Sequence, residues 1–259
     1  MTSTLFIEDQ SWIVLFGGAA RQHILPYMRE NGISIRKVII PKKRSSKLDK
    51  AVDYLSYHDF DLIESSKDNL AETLDLFTSF PLLSIGFPYV FPNQIFEKHP
   101  LALNLHPTLL PKYRGPSSGA YILINGEVKS GSTVHLIVKD VDQGPIILQR
   151  EVALTPFDSL RSMQRKVYSI EPELVVDAIK SLQHGVSTTE QDQQSSSIYP
   201  FLRRPKDSEI DPKVPLDKLI DAIRACDPVE FPAFFNYHGE KVCIKIWRPN
   251  KPIDDSDMI

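Results

Sequence analysis

The sequence predicts an α/β protein: a doubly wound, mostly parallel sheet, followed by a small C-terminal α+β hairpin module. Short apolar runs alternate with helix-like stretches through the first part of the chain, and a long amphipathic pattern follows them. Such a succession is typical of βαβ units, in which helices cover both faces of a parallel sheet. A polar stretch then separates this part from a shorter helix and two alternating strands.

The first strand is expected at WIVLF (12–16), because a continuous apolar run is typical of a strand that is buried on both faces. Gly17 and Gly18 follow it, and apolar residues at helical spacing come next, over 24–28. The two glycines lack the further glycine that a dinucleotide-binding turn requires, so no nicotinamide cofactor is expected.

The remaining elements follow in order. Buried strands are expected at VII (38–40), LLSIG (82–86) and LALNLH (101–106), with a helix over 47–57. The segments STVHLIV (132–138) and GPIILQREVAL (144–154) alternate and are β-branched, which predicts a hairpin or a sheet edge. Apolar residues three and four apart over 159–184 predict a long amphipathic helix that ends at Gly185.

The stretch STTEQDQQSSS (187–197) contains no apolar residue and predicts a linker. We therefore divide the chain into a main domain (1–186), a linker (187–198) and a small module (199–259). In the module we expect a helix over 216–225 and a hairpin of FPAFFNY and KVCIKIW. Two strands alone are marginally stable, so we expect the hairpin to pair across a two-fold axis in a homodimer.

Composition excludes several classes of protein. Thirty basic and thirty-three acidic residues give a net charge of −3, which argues against nucleic acid as a partner. The two cysteines, Cys226 and Cys243, have neither zinc nor redox spacing, which fits a reducing compartment. No apolar stretch approaches the roughly 18–20 residues of a membrane span, and the N-terminus lacks a basic signal region. We expect a cytoplasmic protein without membrane contacts.

The segment NLHPTLLPKYRGPSS (104–118) contains the densest cluster of candidate functional residues. Asn104 and His106 are two residues apart on an expected strand, so their side chains lie on the same face. They stand at the carboxyl end of that strand, the edge of an open parallel sheet where ligands bind. A single histidine before proline is more often a structural hydrogen-bonding residue. The functional interpretation of His106 therefore depends on the residues around it.

The run N-x-H-P, with LLPKYRG after it and DVDQGPI further on, resembles the glycinamide ribonucleotide, methionyl-tRNA and amino-sugar formyltransferase family. That family has an Asn, a His two residues later and an Asp in a D-x-G-x-I context, which Asn104, His106 and Asp142 with Gly144 and Ile146 match. The order of elements agrees over 12–185. One departure is Thr108, where serine is common, and it keeps the hydroxyl.

The resemblance implies a Rossmann-like fold, N10-formyltetrahydrofolate as formyl donor, and catalysis by Asn104, His106 and Asp142. In this scheme Asn104 and a protonated His106 stabilise the oxyanion of the tetrahedral intermediate. Asp142 favours the imidazolium, so we expect it to raise the pKa of His106, and it helps to move the proton of the amine. No metal is required.

The resemblance also implies that the loop SIGFPYVFP (84–92) lines the pocket for the folate pterin. A flat heterocycle suits a cleft of backbone amides and apolar walls, although a simple core loop is the alternative. The expected folate-binding residues are Gly86, Phe87, Tyr89, Val90, Phe91 and Asp142.

The segment 200–248 resembles the C-terminal module of the sugar N-formyltransferases. This implies a nucleotide-linked 3- or 4-amino-deoxysugar, carried by dTDP or a similar nucleotide, as acceptor in polysaccharide or O-antigen synthesis. Arg203 and Arg204 are the expected diphosphate ligands, since a guanidinium suits phosphate oxygens, with surface salt bridges as the alternative. Tyr113 and Arg114 are further candidate substrate contacts.

Two other functions compete with this one. Methionyl-tRNA formyltransferases carry a larger basic domain behind the catalytic one, whereas residues 190–259 hold ten basic and thirteen acidic residues, a poor clamp for a polyanion. An inactive binding protein of the same fold would need a changed residue among the three catalytic ones, and all three are present. The purine-pathway enzyme has no comparable C-terminal tail.

Overall fold

The computed structural model describes residues 4–8, 10–91, 95–116 and 118–250. Its strands are β1 (Thr4–Leu5), β2 (Trp12–Phe16), β3 (Ile35–Pro41), β4 (Leu62–Ser65), β5 (Leu82–Ile85), β6 (Ala102–His106), β7 (Lys129–Leu136), β8 (Ile146–Ala153), β9 (Val186–Ser187), β10 (Ala233–Tyr237) and β11 (Glu240–Ile244). Its helices are α1 (Ile24–Glu30), α2 (Ser46–Tyr57), α3 (Leu70–Asp75), α4 (Ile95–Lys98), α5 (Ser118–Ile124), α6 (Leu160–Gln183) and α7 (Leu216–Arg224). A short 3₁₀ helix spans Pro205–Ser208.

A seven-stranded sheet in the order β4-β3-β2-β5-β6-β7-β8 forms the centre of the molecule. The strands from β4 to β6 run parallel, while β7 and β8 are antiparallel to their neighbours. This confirms the predicted α/β class with its mostly parallel sheet and its hairpin at one edge. The order of the parallel strands reverses between β2 and β5, and a ligand crevice is expected where strand order reverses.

Helices cover both faces of the sheet, as the burial of β2 shows. Val14 and Phe16 belong to a large apolar cluster with α1, α2 and α6, and Ile13 and Leu15 belong to a second cluster with α3 and α4. Because side chains alternate along a strand, an uninterrupted apolar run is what two covered faces require. Helix α6 has 24 residues and starts at a capping box on Ser159, as its periodicity predicted.

The predictions contain no counterpart for strands β1, β4 and β9, for helices α3, α4 and α5, or for the 3₁₀ helix. Strand β4 is a partly buried edge strand of the sequence LIES, whose pattern is too short and too polar to stand out. Helix α3 has only six residues. Strands β1 and β9 form a separate two-stranded ladder, Leu5 with Val186, which joins the start of the main domain to the residues after α6.

The C-terminal module contains the expected helix and hairpin. Strands β10 and β11 pair antiparallel, with Tyr237 opposite Glu240, and the turn residues His238 and Gly239 both have positive φ, 48° and 85°. Two left-handed residues suit the right-handed twist of the paired strands. One face packs on α7, whereas Tyr237 and Trp247 are 60% and 69% exposed.

The module is fastened to the main domain by buried and half-buried charges. Arg161 of α6 makes a two-bond ion pair with Asp227, with both N–O distances 2.8 Å. Arg224 of α7 donates to the carbonyls of Thr155 and Asp158, just before α6. Among the described residues, no helix is long and apolar enough to cross a bilayer.

Candidate active site

The carboxyl end of β6 and the loop after β7 meet at a cavity of about 950 Å³. Asn104 and His106, which project from β6, and Asp142, from the loop, all line this cavity. The volume is in the range of sites that hold a cofactor-sized ligand. The structure thus brings together the three residues that the motif singled out.

His135 is a fourth polar residue of this cluster, and the sequence analysis missed it. It lies on β7 directly opposite Asn104 in the β6–β7 ladder. Its Nδ1 donates to the carbonyl of Leu136 at 2.8 Å, so in the neutral ring Nε2 is the acceptor for Asn104 Nδ2 at 3.1 Å. A polar residue inside the apolar alternation of 132–138 was the available signal, but the register that brings it to Asn104 is not visible in the sequence.

Asp142 is held by several donors. Its Oδ2 accepts from the backbone N–H of Gly115 at 2.9 Å, and its Oδ1 accepts from Asn104 Nδ2 at 3.4 Å. Burial alone would raise the pKa of Asp142. His106, His135 and the N–H of Gly115 together lower this pKa by more than burial raises it, so the net shift is downward. The carboxylate is therefore ionised at neutral pH.

His106 has one nitrogen fixed by the backbone and one beside the carboxylate. Its Nε2 lies 2.9 Å from the carbonyl of Tyr113, and since a carbonyl only accepts, Nε2 carries a hydrogen. Its Nδ1 lies 3.5 Å from Asp142 Oδ2. In the neutral ring, Nδ1 is thus the nitrogen that can take up a proton.

Asp142 acts on the pKa of His106 in the expected upward direction, but the expected net rise does not occur. Burial lowers this pKa below its ordinary value and outweighs the opposing effects of Asp142 and of the Tyr113 carbonyl. The ring is 6% exposed, so the charged form loses most of its hydration. His106 is consequently neutral in the free enzyme near pH 7.

A buried ion pair lies on the other side of His106. Arg21, from the loop after β2, donates to Glu171 of α6 at 2.6 Å, and the two residues are 5% and 0% exposed. Ser132 Oγ lies 2.7 Å from the same Glu171 oxygen and 2.9 Å from the carbonyl of His106. Arg21 also lines the cavity, so the pair links its wall to the strand that carries His106.

The loop after β5 forms one side of the cavity. Gly86 adopts φ 61°. Its carbonyl oxygen lies so close to Gly17 that a Cβ added at Gly17 would be only 2.4 Å from that oxygen. The residues expected to bind folate, Gly86, Phe87, Tyr89, Val90 and Phe91, all line the cavity. Phe87 and Phe91 stack with their centroids 6.3 Å apart, and Val90 is 70% exposed. Residues 92–94 lie outside the described range, and the folate role of the loop stays a prediction.

The four expected substrate contacts differ in their placement. Arg203 and Arg204 line the outer part of the cavity, where Arg203 also lies over the Tyr121 ring at 5.7 Å. Tyr113 is 5% exposed, and its hydroxyl donates to Glu127 at 2.8 Å. Arg114 is 1% exposed and donates to Gln191 and Gln193, which favours a structural role, and its contact with the substrate stays a prediction.

Comparisons with known proteins agree on the type of enzyme. A family model described as formyl transferase matches residues 22–179. A methionyl-tRNA formyltransferase of Thermotoga neapolitana is 31% identical over 216 residues, which are 79% of this chain and 68% of that protein.

Two solved structures share the fold. A 4-N formyltransferase from Francisella tularensis has a TM-score of 0.75 at 21% identity, over 92% of this chain and 97% of that one. An N-formyltransferase from Helicobacter canadensis, solved in complex with folinic acid and dTDP-3-aminofucose, has a TM-score of 0.68 at 21% identity, over 91% of this chain and 86% of that one. The family match spans most of the main domain and includes all three motif residues. The chain therefore belongs to the formyl transferase family, and it is an enzyme of that family.

Proposed function

We propose that this enzyme transfers the formyl group of N10-formyltetrahydrofolate to the amine of a nucleotide-linked amino-deoxysugar. One observation carries the proposal: a single cavity runs from Asn104, His106 and Asp142 to Arg203 and Arg204 of the C-terminal module. Catalytic groups and fixed positive charge in one cavity suit a substrate that carries both an amine and a diphosphate.

The loop from Gly86 to Phe91 suits the folate. It offers a backbone bend at Gly86 and aromatic side chains beside the carboxyl end of β6, which fits a flat, partly polar ring. The Helicobacter canadensis relative was solved with folinic acid, a formylated folate. The bound folate supplies a formyl carbon, and its transfer breaks the bond to N10, makes a bond to the acceptor nitrogen and moves one proton between the two nitrogens.

His106 is the residue that we propose to move this proton. Its Nε2 is engaged by the Tyr113 carbonyl, so the proton of the attacking amine goes to Nδ1. Asp142 Oδ2, 3.5 Å away, stabilises the imidazolium that forms. The same proton then leaves from Nδ1 to the departing nitrogen.

Asn104 is the proposed oxyanion donor. One of its amide hydrogens is engaged by His135 at 3.1 Å, whereas the other makes only a long bond of 3.4 Å to Asp142. That second hydrogen can turn to an oxygen that gains negative charge, because catalytic hydrogen bonds often shorten only in the bound state. The presence of all three groups in one cavity is the argument against an inactive binding protein.

The choice of a sugar acceptor rests on the C-terminal module. Arg203 and Arg204 line the same cavity as the catalytic residues, which supports a role in binding a diphosphate. The two structural relatives described above act as N-formyltransferases, and one was solved with dTDP-3-aminofucose. The proposed product would enter polysaccharide building, such as that of lipopolysaccharide O-antigen, in the cytoplasm.

Methionyl-tRNA is the second candidate, because the Thermotoga neapolitana relative at 31% identity is named for that substrate. The charge of the C-terminal part argues against it, since residues 190–259 hold thirteen acidic and ten basic residues.

The test incubates the enzyme with N10-formyltetrahydrofolate and either a panel of nucleotide-linked amino sugars or charged initiator tRNA. Folate deformylation is followed by absorbance, and the formylated product by mass spectrometry. Turnover with an amino sugar is expected. Turnover with tRNA alone would replace the proposal by the second candidate.

We also propose that the protein is a homodimer joined through the exposed face of the β10–β11 hairpin and the residues just after it, where Tyr237 and Trp247 are exposed. Light scattering at micromolar concentration should give twice the chain mass, and Trp247→Glu should lower it. A monomeric wild-type protein would contradict this arrangement.

A further inference from the structure

The polar segment that the sequence marks as a linker crosses both catalytic loops. We define the strap as residues 189–199, the proline loop as 111–116 and the aspartate loop as 139–145. Thr189 exchanges two backbone hydrogen bonds with Ile146, directly after the aspartate loop, at 2.8 and 2.9 Å. At the other end, Tyr199 donates its N–H to the carbonyl of Arg114 at 2.8 Å, and Arg114 donates to the carbonyl of Ser197 at 2.9 Å.

Gln191 stands where the strap lies between the two loops. Its Nε2 donates to the carbonyls of Asp142 at 2.9 Å and Gly144 at 2.7 Å. Its Oε1 accepts from Arg114 Nε at 3.1 Å and Nη2 at 2.6 Å. The side chain is 6% exposed, and its two hydrogens and its oxygen are all used.

The groups that Gln191 holds bear directly on Asp142. Asp142 adopts φ 56°, a left-handed conformation that a non-glycine residue keeps only when its surroundings hold it. Gly115, in the proline loop, donates its N–H to the carboxylate of Asp142, and Gln191 donates to the backbone carbonyl of Asp142. Arg114, the neighbour of Gly115, is fixed to Gln191 in turn, so one amide ties both loops together.

We propose that Gln191 is a positioning residue for formyl transfer, which keeps Asp142 at the distance from His106 that the proton transfer needs. This inference rests on the proposed function, because it assumes that Asp142 acts on His106. Gln191 contacts neither reacting group itself. Its effect is therefore expected on the chemical step and not on substrate binding.

The test compares Gln191→Glu, Gln191→Ala and a control, Gln194→Ala, an exposed glutamine of the same strap. In Gln191→Glu the carboxylate still accepts from Arg114, so the strap stays attached, but it has no hydrogen for the carbonyls of Asp142 and Gly144. Both Gln191 variants should lose about tenfold to a hundredfold in kcat, the scale of a misplaced catalytic group, with KM for folate and acceptor within about threefold. Gln194→Ala should behave as the wild type.

A double-mutant cycle with Asp142→Asn separates this inference from the proposed function. If Gln191 acts through Asp142, adding Gln191→Ala to Asp142→Asn should cost less than about threefold more in kcat, because the two changes remove one effect. If Gln191→Glu keeps the kcat of the wild type while Asp142→Asn loses most of it, only the positioning role of Gln191 is overturned. A fully active Asp142→Asn enzyme would overturn the proposed role of Asp142 and the inference together, whereas a wild-type enzyme that turns over no amino sugar would overturn the proposed function. Fully additive losses would assign Gln191 to general stability and also refute the inference.

Discussion

The buried pair of Arg21 and Glu171 gives a sharp stability prediction. Replacing Arg21 by Met keeps most of the apolar stem and removes the charge, leaving Glu171, which is 0% exposed, without its cation. Breaking a buried pair in this way costs about 3–5 kcal/mol of unfolding free energy. A domain has only about 5–15 kcal/mol in total, so the Arg21→Met protein should be visibly less stable at pH 8.

The pH dependence of this loss follows from the pKa of Glu171. Burial already raises that pKa in the wild type, against the effects of Arg21 and Ser132, and the loss of Arg21 raises it further. A carboxyl group with a raised folded-state pKa stabilises the folded state in its protonated form, so its penalty grows as pH rises through the folded-state pKa. The deficit of Arg21→Met should therefore be largest at pH 8 and shrink toward pH 5.

The assay is urea unfolding followed by circular dichroism at pH 8, 6.5 and 5, on wild type, Arg21→Met, Glu171→Gln and the double variant. The double variant has no charge left in the pair and should recover at least about 2 kcal/mol of the loss at pH 8, since a neutral replacement removes the unpaired buried charge. Its deficit relative to the wild type should not grow as pH rises, since it has no carboxyl group at position 171. A loss below about 1 kcal/mol in Arg21→Met, or a loss equal at all three pH values, would refute this reasoning.

Three further predictions concern the active site and the loop that carries Asp142. His106→Ala and Asn104→Ala should each lower kcat by about a hundredfold or more with the fold intact by circular dichroism, and wild-type turnover in either would remove that residue from the mechanism. The limb of the kcat/KM profile that reports His106 should lie at lower pH than for an ordinary imidazole, because burial lowers the pKa of His106. It should move further down in Asp142→Asn, since the carboxylate opposes that shift, and an unmoved limb in steady-state pH profiles would contradict their coupling. Gly144→Ala should lower the unfolding free energy measured in urea by about 2 kcal/mol or more and remove most of the activity, because the new Cβ would lie 1.8 Å from the Leu136 carbonyl oxygen. The control Gly119→Ala lies in a helix, and its new Cβ would be 3.6 Å from Met163, so it should not destabilise the protein.

The sequence was most informative where local patterns decide the structure. The apolar run 12–16 became a strand covered on both faces, and the residues His238 and Gly239 became the left-handed turn of the hairpin. The motif around Asn104 and His106 also predicted which carboxylate would join them. These features depend on residues that are close in sequence or on a spacing that the family shares.

What the sequence could not provide depends on distant partners and on burial. Arg21 and Glu171 are 150 residues apart, and each looks like an ordinary surface charge until the fold buries it. His135 reaches Asn104 only through the antiparallel register of β6 and β7. The lowered pKa of His106 has the same origin, because the sequence shows the neighbouring carboxylate but not the loss of water around the ring.

The strap also limits how this enzyme can be recombined with its relatives. A chimera that exchanges the C-terminal module at the polar stretch near residue 187 would replace Gln191 and Tyr199, and with them the bonds to the Asp142 carbonyl and to Arg114. The ring of Tyr199 stacks between those of Tyr113 and Tyr121, with centroids 5.7 and 3.9 Å apart, so its loss would also open the wall beside the proline loop. A junction placed after Tyr199 keeps these contacts native, although Arg224 and Asp227, which bind the main domain, are then exchanged with the module. Such a chimera would test whether the C-terminal module selects the acceptor, because the catalytic loops keep their own support.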